Sequence, residues 1–444
     1  MRDPEKTILS PLTETGLGYY LLAGLLLLVI MWGLWAYIFQ LQDGLGVTGM
    51  NRPVFWGVYI TNFVFFIGIS HAGTLISAIL RIVGAEWRRP FTRAAEAVTV
   101  LSLPFGAISI FVDLGRPDRV LNLLLYGRFQ SPLLWDFTAV SLYLFSSIFF
   151  FYLALIPDIA LCRDRLTDIS GFRKRLYRLL ALGWRGSNEQ RRRLERVIGG
   201  MSVFLTLLVV TVHTVVAWVF GMTTQPGWHS TIIGPYFLGG AIFSGVGAVA
   251  IVTAILRRTF RLEEYITPKH FDYLGKFLVA LSLAWFYFTF AEYLTTLYGG
   301  EPAHMSVFWA KFSGEFAPLF AGMFIFCFLI PLPILAIPRT RTILGVVIAS
   351  ISINIGMWLE RYTVVVPSLT RPRLPYELGA YSPTGVEWSI TAAFFAGFFL
   401  LYLIFAKLFP VISIWEIKEA EEVEERPAEP ERGWDILWEG RQEG

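Results

Sequence analysis

The chain has 444 residues, of which 55% are hydrophobic, 16% aromatic and only 16% charged. Soluble domains run nearer roughly 25% charged, which excludes an ordinary soluble enzyme; a disordered chain would need low hydrophobicity and high charge, and is excluded as well. The formal net charge of +3 hides an asymmetry, because residues 418–444 hold ten acidic and four basic side chains and leave +9 to the rest.

After a polar start, Met1–Thr15, the first apolar run is too long for a cleaved signal and reads as a retained span. A bilayer core takes about 20 apolar residues as helix. Ten segments qualify in chain order: roughly 17–41, 54–83, 93–115, 132–157, 199–224, 235–257, 271–299, 316–337, 342–366 and 384–410. Stretches such as Leu21–Ile30 do not alternate, which argues against a barrel. The predicted fold is an all-α integral membrane protein of about ten transmembrane helices. Residues 1–16 form the N-terminus, 17–53 a peripheral span 1 and outer loop, and 54–224 a four-helix bundle with a basic loop at 158–198. A second four-helix bundle covers 225–366, a peripheral span 10 with its outer loop covers 367–410, and an acidic tail covers 411–444.

Lys and Arg accumulate on the cytoplasmic side of membranes. The even-numbered junctions carry 21 basic residues and the odd-numbered ones 8, so both termini are predicted to be cytoplasmic, in a bacterial inner membrane. Eleven of the 21 lie between Arg163 and Arg196, a segment expected to lay a helix on anionic headgroups. A weak repeat supports the two-bundle reading. Ala78-Ile79-Leu80-Arg81 recurs as Ala254-Ile255-Leu256-Arg257, and Leu125-Tyr126-Gly127 as Leu297-Tyr298-Gly299, in each case four spans later. Such a repeat implies an axis along the membrane normal.

Ionisable groups inside spans are costly and usually face an interior or a wet cavity. The candidates are His71, Asp113, Asp136, His213, Glu292 and Glu360, most of them in the outer half. Quinol oxidation needs a hydrogen-bonding acceptor for each hydroxyl and an apolar slot for the tail. His71 with Asp113 or Asp136 would meet the first need, and Arg116 would hold the carboxylate ionised. His213, Glu292 and Glu360 are candidates for a proton path. Plainer readings stand beside these. His213 serves as readily as a structural residue, Glu360-Arg361 reads as an interfacial pair, and His229, His270 and His304 read as loop contacts. His71 stands apart, since Gly68-Ile69-Ser70-His71-Ala72-Gly73-Thr74 allows close helix approach around it. Haem ligation by His71 and His213 is a rival chemistry, and the rival classes are a secondary transporter and a structural or proton-path membrane subunit that binds no quinone. The chain has two cysteines, Cys162 and Cys327, and neither a Cys-x-x-Cys pair nor a phosphate-binding glycine loop. It therefore holds no iron–sulfur cluster, thiolate zinc or nucleotide of its own in this reading; haem is disfavoured because no span carries more than one histidine, and neither a metal nor a nucleic-acid partner is expected.

Two passages carry a family resemblance. One is Phe65-Phe66-Ile67-Gly68-Ile69-Ser70-His71-Ala72-Gly73-Thr74-Leu75-Ile76-Ser77-Ala78-Ile79-Leu80-Arg81. The other is Asp113-Leu114-Gly115-Arg116-Pro117 followed by Ser131-Pro132-Leu133-Leu134-Trp135-Asp136. Together they resemble the NrfD-like polysulfide reductase membrane subunits, and within them the quinone-binding membrane component of alternative complex III. The resemblance implies a protein that binds quinol or menaquinol without a redox metal and passes electrons to an iron–sulfur/molybdopterin-like partner at the outer face. It further implies c-type cytochrome subunits and a paralogous ten-span membrane protein beside it. It places His71, Asp113 and Arg116 in the quinone-site region, with Asp136 a further candidate and Leu114–Ser131 at the pocket mouth.

Overall fold

A computed structural model describes residues 4–166, 169–223, 225–374 and 377–416. The acidic tail beyond Glu416 lies outside the described residues. Helix dominates, and no strand occurs among the described residues. Among these residues, ten helices are long and apolar enough to cross a membrane: Leu17–Asp43, Val58–Ile82, Arg89–Asp113, Pro132–Arg165, Asn188–Gly221, Ile233–Thr259, Pro268–Gly299, Ala317–Ala336, Ile343–Thr370 and Gly385–Leu408. They are spans 1 to 10 below. Spans 4 and 5 exceed their predicted bounds by about two and three turns on the basic side, because polar helix continues past the hydrocarbon.

Lipid provides no hydrophobic drive between helices, so packing depends on small residues and polar contacts. The packing pairs are regular. Span 2 packs on 3, 3 on 4, 4 on 5 and 5 back on 2; span 6 packs on 7, 7 on 8, 8 on 9 and 9 back on 6. Between these bundles span 2 meets span 6, span 5 meets span 6, span 2 meets span 9 and span 3 meets span 6. Exchanging spans 2–5 for 6–9 maps the neighbour contacts and the first three of these onto one another; the contacts of span 3 with span 6 and of span 7 with span 9 depart from that symmetry. The repeat in the sequence has the same register. The offset carrying Ala78 to Ala254 also carries Gly68 to Ser244 and Ile69 to Gly245, and these two pairs touch across the axis. A Cβ on Gly245 would lie 2.9 Å from the Ile69 carbonyl oxygen and 2.7 Å from Ala72 Cβ, so only glycine permits this crossing.

Span 2 is the hub. Every residue from Val58 to Gly73 is buried, as expected of a helix apolar all round. Span 1 by contrast is 11% buried over its apolar stretch, and it leans on span 10, which in turn touches spans 2 and 3. The basic loop forms the helix Gly171–Leu180, capped by Ser170, with Phe172 and Leu179 exposed. Its Arg173 donates to the Leu12 and Lys407 carbonyls (both 2.9 Å), and Tyr177 to the Leu408 carbonyl (2.7 Å). This helix therefore ties the N-terminal helix Pro4–Thr13 to the end of span 10 while offering an apolar edge at the interface.

Candidate functional site: a buried imidazole pair beneath unpartnered carboxylates

The local structure of span 2 changes just after His71. Thr99 Oγ1 of span 3 donates to the Ser70 carbonyl (2.5 Å) and accepts from the Gly73 amide (3.0 Å). Tyr143 of span 4 donates a second hydroxyl bond to the same carbonyl (3.0 Å) and lies 3.1 Å from Thr74 Oγ1. These inserted hydroxyls take over ladder positions, and the next six residues, Thr74–Ile79, wind as a π-helix. Gly73 is obligatory here, since a Cβ would lie 2.1 Å from Thr99 Oγ1 and 2.3 Å from the Ala95 carbonyl.

The π-turn sits directly against the histidines. His71 is fully buried, and its Nδ1 is 2.7 Å from the Ile67 carbonyl, which accepts only from N–H. That contact sets the tautomer with Nδ1 protonated and leaves Nε2 as an acceptor. His213 of span 5, equally buried, meets the His71 ring edge to face at 4.4 Å and 72°. Neither His71 Nε2 nor either His213 nitrogen has a hydrogen-bond partner among the described residues. The Tyr143 ring closes the other side of His71 at 5.3 Å. The two imidazoles are in direct ring contact and do not stand on opposite sides of a planar cofactor. No group of three or more His, Cys, Asp or Glu side chains converges as a metal set among the described residues.

The carboxylates lie at other depths. Thr99, level with Ser70 and Gly73, is fourteen residues before Asp113 on span 3, a rise of about 21 Å. Tyr143, level with His71, is seven residues after Asp136 on span 4, about 10 Å. His71 and Asp113 thus cannot hold one ring together, while Asp136 stands between them in depth. Both Asp113 Oδ1 and Asp136 Oδ1 are buried without a hydrogen-bond partner among the described residues. Arg116 does not reach Asp113. It is exposed, and its guanidinium forks onto Asp118 at 2.9 and 3.0 Å, because Gly115 at φ +64° turns the chain outward after span 3.

In the second bundle, Glu360 and Arg361 are not an interfacial pair. Both are buried, 3.1 Å apart, and Arg361 also donates to the Phe237 carbonyl (3.2 Å) with its guanidinium 5.0 Å over the Phe237 ring. Phe237 in turn lies 6.2 Å from His213, so the ion pair stands beside the imidazole pair. Glu292 accepts from Ser230 and shares a cavity of about 30 Å³ with Tyr236, Tyr293, His304 and Lys311. His304 and His229 meet at 3.0 Å, and His270 Nδ1 accepts the Thr267 amide at 2.9 Å as a helix cap.

Several side chains of this region escaped the sequence reading. Asp136, Val140, Tyr143, Ser147, Phe151, Ala154 and Asp158 form one buried stripe on span 4 at steps of three and four, a period that would have flagged Tyr143. Glu96 lies within the predicted third span, and Glu387 near the start of the tenth. Glu387 is buried, accepting from the Gly49 amide (2.7 Å) and the Tyr381 hydroxyl (2.6 Å).

Lys311, outside the spans in helix Pro302–Phe312, is buried beside Tyr293. Burial lowers its pKa from the ordinary 10.5 to about 8, against the opposing pull of Glu292. At pH values between these limits the unfolded chain holds a proton that the folded chain has shed, so stability from this group rises with pH. Thermal unfolding from pH 8 to 10 is expected to show that rise, and Lys311→Met to remove it; equal slopes in both proteins would contradict it.

Comparison with known proteins matches residues 46–373 to the family described as polysulphide reductase, NrfD. The chain belongs to this NrfD family. The matched region contains both four-helix bundles and omits spans 1 and 10. The C component of a putative dimethyl sulfoxide reductase of Halobacterium salinarum, itself a membrane subunit, is 29% identical over 58% of this chain, which spans 57% of that relative's length. The C component of the selenate reductase of Mesobacillus selenatarsenatis is 22% identical over 87% of this chain and 93% of its own. An Hdr-like menaquinol oxidoreductase integral membrane subunit of Archaeoglobus fulgidus is 25% identical over 91% and 96%. As an NrfD-family protein the chain is an integral membrane protein with ten candidate spans among the described residues.

Proposed function

We propose that this subunit oxidises a quinol, of the menaquinol type, between spans 2, 3 and 4, and passes the electrons to an iron–sulfur partner at the outer face. The observation that carries this reading is that His71 Nε2 and Asp136 Oδ1 are both buried without a hydrogen-bond partner among the described residues, with Asp136 about 10 Å of helix rise outward of Tyr143, whose ring lies against His71. A ring with para hydroxyls and a hydrogen bond of about 2.8 Å at each end spans about 11 Å. That length fits Asp136 with His71, and it is half the separation of Asp113 from His71. Asp113, with Tyr59 bonded to Gln40 (2.6 Å) and Gln40 to the Val112 carbonyl (2.9 Å), then belongs to the outer mouth. The connector that follows exposes Leu121, Leu125, Tyr126 and Phe129, an apolar surface suited to a docked partner.

Within this reading the complex is of the alternative complex III type, with c-type cytochromes and a paralogous ten-span membrane protein, in a bacterial inner membrane with both termini cytoplasmic. Proton translocation would draw on His213, Glu292 and Glu360. The test is a pair of variants in the intact complex. Asp136→Asn is expected to lower quinol-linked turnover by at least about tenfold, and Asp113→Asn by less than about threefold. The reverse order would move the ring to the outer mouth. Full turnover in both variants would favour a structural role without a quinone site.

A further inference from the structure

At the basic end of the first bundle, where spans 4 and 5 run past the hydrocarbon, the structure holds a cavity of about 640 Å³. Three segments wall it: the last turns of span 4 from Pro157, residues 184–186 with the first two turns of span 5, and Ile414 with Trp415. Each wall is fixed. Arg163 donates to the Trp184 carbonyl (3.0 Å), and the Gln190 side chain accepts the Arg185 amide (2.9 Å). Trp415 donates its amide to Asp158 (3.3 Å) and its indole N–H to the Ala154 carbonyl (3.2 Å). Of the acidic groups lining the cavity, Asp158 is paired with Arg93 (2.8 Å) and Asp164 with Arg163 (2.7 Å). Glu195 alone is left to offset Arg185, Arg191 and Arg192, which make no ion pair among the described residues. Asn188, the first residue of span 5, also lines the cavity and brings the positive end of the helix dipole to it. Pro157 ends the predicted fourth apolar segment and Arg191 precedes the fifth by eight residues, so the cavity runs from the hydrocarbon edge to about 12 Å beyond it. Long arginine side chains reach back from there into the headgroup layer, which is about 5–8 Å thick.

We propose that this cavity binds an anionic phospholipid, its phosphodiester groups held by Arg185, Arg191 and Arg192 and the upper part of its chains resting on Leu161 and Leu194. The inference is independent of the quinone reading. A guanidinium presents a planar fork of donors that matches phosphate oxygens two at a time. Trp184 and Trp415 add the amphipathic rings that favour headgroup level. The surplus of positive charge fits a headgroup carrying two phosphodiesters better than one carrying a single phosphodiester. A zwitterionic headgroup brings its own cation into this surplus and is a poor occupant. Free phosphate would use the arginines alone and gain nothing from the two leucines. A lipid bound here joins spans 4 and 5 to the segment 410–416, which Arg81 and Arg88 hold through Glu416 and Arg93 holds through Ser413 (3.3 Å). Binding to the folded protein alone raises its stability.

The test titrates the detergent-solubilised intact complex, stripped of lipid, with diphosphatidylglycerol, with phosphatidylcholine of the same chains, and with inorganic phosphate. Native mass spectrometry reads the lipid retained, and thermal unfolding reads the stabilisation. The native complex is expected to hold diphosphatidylglycerol at least about tenfold more tightly than phosphatidylcholine, and to unfold at a higher temperature in its presence. Arg191→Gln/Arg192→Gln should weaken that binding at least about tenfold and remove most of the thermal shift. Arg193→Gln/Arg196→Gln takes the same formal charge from the same helix outside the cavity, and should change binding less than about twofold. All four arginines are exposed, so neither double variant is expected to disturb folding. Equal affinity of the native complex for both lipids overturns the proposal. Equal losses in the two double variants overturn it too, because the attraction is then a property of the whole basic surface. A thermal shift of the same size with inorganic phosphate would overturn the lipid assignment in favour of a free anion.

Discussion

His71→Gln is expected to lower quinol-linked turnover of the intact complex by about 10²–10⁴-fold, the range associated with loss of a positioned proton acceptor. The size of the effect follows from the surroundings. The Ile67 carbonyl holds Nδ1–H, so Nε2 is the only acceptor on the ring, and full burial keeps bulk water from replacing it. Gln keeps most of the volume against His213 and Tyr143, which limits the packing loss that Ala would cause. Assembly of the complex, followed by co-purification, should therefore be unchanged, and KM for quinol should move less than kcat. His213→Gln should cost less, about tenfold, because His213 acts through its contact with His71. Turnover within threefold of native in His71→Gln would remove the imidazole from the reaction.

Arg361→Leu is expected to destabilise the protein by about 3–5 kcal/mol, because it leaves Glu360 as a buried charge without its partner. Among the described residues Arg361 alone forms an ion pair with Glu360, and it is itself held by the Phe237 carbonyl and ring. Replacing both members with apolar residues removes the desolvation cost of both, so Glu360→Leu/Arg361→Leu should recover most of the loss. Thermal unfolding of the detergent-solubilised protein measures this directly. If the double variant is no better than Arg361→Leu, the cost comes from packing against Gly240 and Met357, which adjoin the guanidinium, and not from charge.

The two results bear on different halves of the molecule. Loss of turnover in His71→Gln with intact assembly would isolate chemistry in the first bundle. Loss of stability in Arg361→Leu would assign the second bundle's ion pair to holding spans 6 and 9 together. The two-fold packing places both at the central junction, where spans 2, 5, 6 and 9 meet, and this makes a coupling between them testable by combining the variants.

The ten spans were legible in the sequence. Apolar runs of about twenty residues leave the backbone no option in lipid except helix, and the observed bounds depart from the predicted ones mainly where polar helix extends past the membrane, as at Arg165 and Asn188. The family resemblance was legible in two short passages, and His71 was singled out by the small residues around it. Depth along a single span was also readable, since rise per residue is constant.

Relations between spans were decided only by the tertiary structure. His71 and His213 are distant in the chain and meet because span 5 packs across the π-turn of span 2. Glu360 and Arg361 read as interfacial from their position near a span end, yet the surrounding helices bury them completely. Arg116 was expected beside Asp113, but the chain turns outward at Gly115 and Asp118 takes the guanidinium. In each case periodicity and hydropathy describe one helix at a time. Which polar groups share a level, and whether they face lipid, water or each other, depends on how close the helices approach, and that is set by contacts such as Gly245 against Ile69 and Gly73 against Thr99.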